Sequence, residues 1–418
     1  MANSTQNKES VAGIVQALED KDTNVTFEDP LENYMVLNMG PQHPATHGVL
    51  RLLIKLDGET VVDCIPELGY LHRGYEKIAE ASTYMEFIPH TDRLDYISPI
   101  ANNVAYALAV EKIAGVEAPP RAQYIRVVGA ELARISSHLM AIGAMAMDVG
   151  AMTVFLWAFR EREKLYDVFD LLTGVRFTTS YTRIGGVAQD MTDETKRAIT
   201  KFIDDFPKHY SEIIRMLNKN RIFLDRVVGV GTIDAETAVR LSFSGANLRA
   251  SGVEHDIRTF SPYLVYDQLS FDVITEKGGD CFARYMVRMR EMLESVKIVR
   301  QTLEKMPQGP IKSDLPKKVL PKKERVYGKM EELIHDFVIV NDGVHPDVGE
   351  SYVATEGSKG ELGFYIISDG SGHPWRMKIR SPSFCNLQAL PTLLKGQMIS
   401  DVVAIIGSID PIMGEADK

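Results

Sequence analysis

Leu139-Met-Ala-Ile-Gly-Ala-Met-Ala-Met-Asp-Val-Gly-Ala-Met-Thr-Val-Phe-Leu-Trp-Ala-Phe159 is the stretch on which the fold of this chain turns. It is almost entirely apolar, and a bilayer crossing takes about 20 such residues. Against a crossing stand Asp148 in mid-segment, Gly143 and Gly150, and methionines at 140, 145, 147 and 152. An isolated carboxylate at that depth in lipid is expensive. The stretch therefore reads as two core helices broken near Gly150. Apolar residues at three- and four-residue spacing continue on both sides and predict helices over Ala122–Met147 and Ala151–Leu172. The same spacing predicts Ile97–Ile113, Thr195–Leu217, Ala235–Ser242 and Phe282–Lys305, punctuated by Gly174, Gly185-Gly186, Gly229 and Gly231.

Outside this helical middle the pattern changes. Val49–Leu56 and Thr60–Ile65 flank Asp57-Gly58, a hairpin turn signal. Gly363–Ser368 and Arg376–Arg380 flank Asp369-Gly-Ser-Gly, within a stretch from 335 to 384 that reads as β. The fold class is α+β: a helical-bundle core with strands from the N- and C-terminal regions. The expected organisation is an extension over 1–33, with a short helix at Val11–Leu18, followed by one domain over 34–418. Within it, 34–75 is mainly β, 76–305 mainly helical, 306–330 a linker, and 331–418 β with short closing helices. Residues 306–325 hold four prolines and six Lys/Arg, which suits a surface linker.

A net charge of −10 argues against nucleic acid as a partner. Cys64, Cys281 and Cys385 are isolated, so no disulfide framework, thiolate zinc site or iron–sulfur cluster is expected from this chain alone. That usage fits a reducing compartment. No basic segment followed by an apolar core opens the sequence, so no secretory signal is expected.

Several constellations carry chemistry. Gly40-Pro-Gln-His-Pro-Ala-Thr-His-Gly48 sets His43 and His47 in a stretch whose prolines and glycines forbid a helix. It is a stiff loop at a sheet end, with either ligand-binding or purely local roles for its histidines. His90-Thr-Asp-Arg-Leu-Asp-Tyr-Ile-Ser98 puts Arg93, Asp95 and Tyr96 at a helix start. Asp92 or Asp95 is a candidate cap there, and Tyr96 is either core or a proton donor to a carbonyl oxygen. On the helix ending at Asp148, Arg134 and His138 share a face, and a histidine is a natural partner for the Asp148 carboxylate, as a structural pair or a functional one. Leu71-His-Arg-Gly-Tyr-Glu76 and Gly407-Ser-Ile-Asp-Pro-Ile-Met-Gly-Glu415 alone read as turns with charges.

Taken together and in order, Gly40–Gly48, His72–Glu76, Asp92–Ser98, Arg134–His138, Phe159–Glu163, Arg183–Gly186, Leu248–Gly252 and Asp410-Pro411 resemble the D-type subunit of the proton-pumping NADH:quinone oxidoreductase, respiratory complex I. That family is in turn similar to the large subunit of nickel–iron hydrogenases, which implies a hydrogenase-large-subunit-like fold. Those enzymes hold their metal with cysteine pairs. Here Asp95, Ser98, Ile412 and Glu415 stand at the cysteine positions. Thiolates select that metal, so no metal is expected, and the vacated pocket is expected to be apolar enough for a quinone ring.

The resemblance implies further roles. His47 and Tyr96 flank the quinone headgroup as donors, and Asp148 pairs with His47. His43, Arg93, Met140 and Ile412 line the pocket, and Arg73 and His138 lie toward a neighbouring 4Fe-4S cluster, where positive charge favours its reduced form. Quinone is the substrate, and this chain binds no cofactor alone. Electrons come from the small iron–sulfur (B-type) subunit; the C-type subunit, the ferredoxin-like (I-type) subunit and the H-type membrane subunit are further partners. The implied location is peripheral, on the cytoplasmic side of the plasma membrane. Ala144 replaces a frequent serine, and Lys418 a common arginine, which keeps the charge but loses the planar fork.

Overall fold

The computed structural model describes residues 34–41 and 48–418. The expected helix at Val11–Leu18, and both His43 and His47, lie outside the described residues. Five long helices make the middle of the chain: α1 (Pro99–Ala114), α2 (Pro120–Asp148), α3 (Met152–Thr173), α4 (Asp193–Leu217) and α5 (Cys281–Lys305). Two more follow, α6 (Met330–Asp342) and α7 (Ile399–Ile409).

The apolar stretch does break near Gly150. Gly150 adopts φ 91°, its N–H donates to Met147 O at 2.9 Å, and the next N–H, of Ala151, reaches back to Ala146 O at 2.7 Å. This pair of bonds is the Schellman closure, which favours glycine because a left-handed residue is needed there. α2 and α3 then fold back on each other. Gly143 permits the approach: a Cβ there would stand 3.2 Å from Ala158 Cβ.

α2 is buried along nearly its whole length, as expected for the central post of a bundle. Leu132, Ile135, Leu139 and Ile142 join the main core, each contributing about 1.5–3 kcal/mol by its removal from water. α2 also buries charge. Arg126 meets both carboxylate oxygens of Glu111 on α1 and donates to Gly186 O at 3.0 Å. Among the described residues no helix is long and apolar enough to cross a membrane.

Two three-stranded antiparallel sheets flank the bundle. The first orders β1 (Met35–Met39), β2 (Arg51–Asp57) and β3 (Thr60–Glu67), with Gly58 at φ 61° in the β2–β3 turn. The free edge of β3 is tied to the C-terminal region, where Val61 N donates to Gln397 O at 2.8 Å. A two-residue hairpin, β4 (Thr182–Arg183) and β5 (Gly186–Val187), anchors the segment after α5: Ser313 N donates to Gly185 O at 2.8 Å, and Val319 is buried. The second sheet orders β6 (Gly349–Glu356), β7 (Glu361–Ser368) and β8 (Arg376–Arg380).

One expected β region is corrected. The stretch from 335 reads as β in sequence, yet α6 occupies it up to Asp342, and a short helix, Lys323–Gly328, precedes it. The run Phe337-Val-Ile-Val340 is strand-like by composition. Its helical period shows only when Met330, Leu333 and Ile334 are included, and Ile339 alone of the run is buried.

Candidate functional site

Two distant segments meet beside α1. Residues 92–98 link the short helix Ile88–Thr91 to α1, and the first turn of α1 holds them in place. Asn102 Nδ2 donates to Thr91 O (3.1 Å) and Asp95 O (3.0 Å), and Asn103 Nδ2 to Thr91 Oγ1 (2.8 Å). Residues 410–415 leave α7 through Asp410, a non-glycine residue at φ 58°, and lie against that loop. A Cβ on Gly414 would stand 2.6 Å from Leu94 O, 2.7 Å from Arg93 O and 3.2 Å from the Tyr96 ring. Gly48, where the described chain resumes, lies against the same wall: a Cβ there would stand 3.4 Å from Met413 Cγ.

Gly414→Ala thus drives a methyl group into two backbone carbonyls. The expected cost is about 1–3 kcal/mol of stability. Native-gel assembly of the variant complex checks it.

The side chains of Asp95, Ser98, Ile412 and Glu415 are buried and mostly polar. Asp95 Oδ1 accepts from Ile97 N at 3.1 Å and Oδ2 from Ser358 Oγ at 3.0 Å. Glu415 Oε1 accepts from Ser383 N at 3.0 Å and from Ser383 Oγ, which also receives Ile412 N at 3.1 Å. Lys359, buried in the β6–β7 turn, meets Asp410. The expectation of an apolar vacated pocket is therefore corrected: only Ile412 is apolar there, and a lysine and two hydroxyls from elsewhere in the chain close around the carboxyls. Neither aspartate caps α1. Its N-cap is Ser98, whose side chain makes no capping bond, and Asp92 instead accepts from Ser180 N at 3.1 Å.

Tyr96 is half-buried. Burial first, then the charges of Asp95 and Asp410, push its phenol above the usual range, so it is protonated at neutral pH. The sulfur of Met140, half-buried on α2, accepts from Arg162 Nη1 at 3.4 Å. Arg162 also donates to Ser136 Oγ (3.3 Å) and Tyr166, and its charge reaches Asp95. Asp148 is half-buried in the last turn of α2, and Met147 before it and Met152 and Leu156 in the first turns of α3 are exposed. Arg93 is exposed and groups with Arg73. Both act on His90, which stacks on Phe87 and meets the Tyr75 ring edge-on at 6.2 Å.

His138 pairs with Glu291 on α5, at 2.9 Å, and not with Asp148. Burial depresses its pKa to about 4, against the opposing pull of Glu291, so at neutral pH it is uncharged. The expectation that His138 supplies a positive charge is corrected for this chain. Arg134 is the charged member of that helix face. It meets Glu131 at 3.3 Å and donates to Gly357 O at 2.9 Å, which holds the turn carrying Ser358 and Lys359. Sequence reasoning misses Lys359, Ser383, Arg162 and Glu291. Of these, only Arg162 lies within one of the motifs that carry the resemblance.

Residues 148–418 match the family described as respiratory-chain NADH dehydrogenase, 49 kDa subunit. The chain is 58% identical over 407 residues to the first D-type subunit of the NADH-quinone oxidoreductase of Chloroherpeton thalassium, covering 97% of this chain and 92% of that protein. The D-type subunit of Salinibacter ruber is 54% identical over 391 residues (93% and 87%), and that of Akkermansia muciniphila 51% over 390 residues (93% and 94%). The chain belongs to the D-type, 49 kDa subunit family of NADH-quinone oxidoreductase. It is thus a subunit of complex I, an oxidoreductase, and the sequence resemblance is borne out along with the α+β fold class. At the two family positions where this subunit departs from expectation, Ala144 is buried in α2, and Lys418 lies over the Phe384 ring at 5.3 Å while donating to Ile379 O.

Proposed function

We propose that this subunit forms the quinone-headgroup site of its complex, with Tyr96 as hydrogen-bond and proton donor to one quinone carbonyl. The observation that carries the reading is the meeting of residues 93–98 with 410–415 around Tyr96, with carboxyl, hydroxyl and alkyl groups at the positions that hold thiolates in metal-binding relatives of the fold. Such a donor set does not suit nickel. A phenol that keeps its proton at neutral pH suits donation to a developing oxyanion.

In this reading His47 is the second donor, Asp148 pairs with His47, and His43, Arg93, Met140 and Ile412 border the ring. Reduction to quinol takes two electrons and two protons. The side chains hold and pass the protons, and the electrons come from a 4Fe-4S cluster in the adjacent small subunit. The exposed cationic group of Arg73 and Arg93 around Tyr75 supports a meeting with that subunit. The exposed apolar side chains of Met147, Met152 and Leu156 around the α2–α3 turn support cover by the H-type membrane subunit, which supplies the channel for the quinone tail. The C-type and ferredoxin-like I-type subunits complete the contacts, NAD binding lies elsewhere in the assembly, and the chain sits peripherally on the cytoplasmic face of the membrane while the complex pumps protons.

A photoreactive quinone analogue, added to the intact complex, tests the site. Label is expected within residues 40–100 or 410–415 and is expected to be competed away by excess quinone. Label confined to other subunits would overturn the reading.

A further inference from the structure

Four ionisable side chains from three segments gather beside Tyr96: Asp95, Lys359, Asp410 and Glu415, each no more than 5% exposed. They are not equally compensated. Asp410 has the Lys359 ammonium in contact. Among the described residues, Asp95 accepts only from a backbone N–H and the Ser358 hydroxyl, and Glu415 only from the backbone and hydroxyl of Ser383. Both Ser383 bonds end on Oε1, so Glu415 Oε2 has no partner among the described residues. Ser98 buries an Oγ that also lacks a partner there.

Further cations face the cluster without touching its carboxylates. Arg162 on α3 reaches Asp95, Arg288 on α5 reaches Asp410, and Lys418 faces Glu415. Each spends its hydrogen bonds elsewhere: Arg162 on Ser136, Met140 and Tyr166, Arg288 on Asn247 and on backbone carbonyls that include Ser408 and Ile409, and Lys418 on Ile379 O. A buried carboxyl with only neutral donors is cheaper to keep as the acid than as the anion.

We propose that Asp95 and Glu415 share a stored proton, which restores Tyr96 after its phenol has protonated the reduced quinone. The proposal rests on the quinone reading above. Quinone takes two electrons, one after the other, from the iron–sulfur cluster and one proton from the second donor, His47; the Tyr96 O–H breaks as the other quinol O–H forms; the phenolate then takes the carboxyl proton; and solvent hydronium returns one proton to the carboxylate and one to His47. The placement suits this order, because Asp95 precedes Tyr96 in the chain and Gly414, beside Glu415, packs against the Tyr96 ring. Proton affinities agree. Burial, then Asp95, pushes Glu415 up to about 8, and burial raises Asp95 against the opposing charge of Lys359.

Redox-difference infrared spectra of the intact, detergent-solubilised complex, reduced by NADH with quinone present, test the store. A protonated-carboxyl C=O band is expected, lost in Glu415→Gln and altered in Asp95→Asn. Quinone reduction is expected to fall about 100-fold in Glu415→Gln, the low end of what a general acid contributes. In Lys359→Met the alkaline limb of the pH profile is expected to move upward, because removing a cation raises carboxyl affinity for protons. No carboxyl band sensitive to Asp95 or Glu415, or an unshifted profile in an assembled Lys359→Met complex, overturns the proposal. If the sensitive band is present but the quinone label misses this subunit, the stored proton stands and the quinone reading falls.

Discussion

Tyr96→Phe is expected to assemble normally and to reduce quinone about 10²–10⁴-fold more slowly, the range a positioned proton donor contributes. Assembly is expected to survive because the lost atom does little structural work. The Tyr96 hydroxyl makes no hydrogen bond to any described residue, while its ring packs against Gly414 and is retained. A substitution that leaves ring packing intact and strands no buried partner costs within about 0.5 kcal/mol. The phenol's raised pKa gives the deficit a pH signature: between pH 6 and 7 Tyr96 stays protonated and the carboxyl store is still full, so the ratio of variant to native rate is flat there. The measurement is quinone reduction by NADH in isolated membranes, with native-gel quantities of the complex as the control. Native turnover in the variant removes Tyr96 from the chemistry.

Much of the fold is legible in the sequence because its signals are local. The break at Gly150 follows from a glycine after an apolar run, and the β2–β3 turn from Asp57-Gly58, where Gly58 supplies the left-handed residue. α6 is not legible, since its apolar stripe is exposed on most of its face and its β-branched centre reads as strand. The site divides the same way. Tyr96, Asp95 and Glu415 stand out through the family resemblance of the motifs that carry them. Lys359 is one residue of a β-turn, and it matters because Arg134 draws that turn inward through Gly357 O. Ser383 and Glu291 are equally silent in sequence: Glu291 meets His138 from 153 positions away. A partner that far along the chain leaves no periodicity to read.

Removing Glu291 is expected to have the largest effect on stability. Beneath the site, Glu131, Asp256, Glu291 and Glu356 are buried with Arg134, Arg249, Arg258 and Arg288. Arg249 touches Glu291 and meets Glu356 at 2.8 Å, Arg258 meets Asp256 at 2.7 Å and Glu131 at 3.1 Å, and Ser295 donates to Glu131 at 2.6 Å. Burial acts to raise the Glu291 pKa, but Arg249, the His138 hydrogen bond and Arg134 outweigh it and hold the carboxyl well below its usual range. Glu291→Ala therefore strands guanidinium charge in a dry interior. Breaking a buried pair in this way costs about 3–5 kcal/mol, a large share of a domain's stability. The subunit is expected to be lost from the assembled complex, whereas Glu291→Gln, which keeps the shape and an acceptor for Arg249, is expected to retain more of it. The network also sets a pH limit. Unfolded His138 titrates at about 6.5, whereas burial keeps the folded side chain neutral down to about 4. Between those values the unfolded chain binds more protons, so stability falls as pH drops from about 6.5 toward 4. The lowered Glu291 acts in the same direction, its contribution being lost below the ordinary carboxylate range. Thermal denaturation of the complex against pH reads this directly: a melting temperature flat from pH 7 to pH 4 would exclude a buried, neutral His138 held by Glu291.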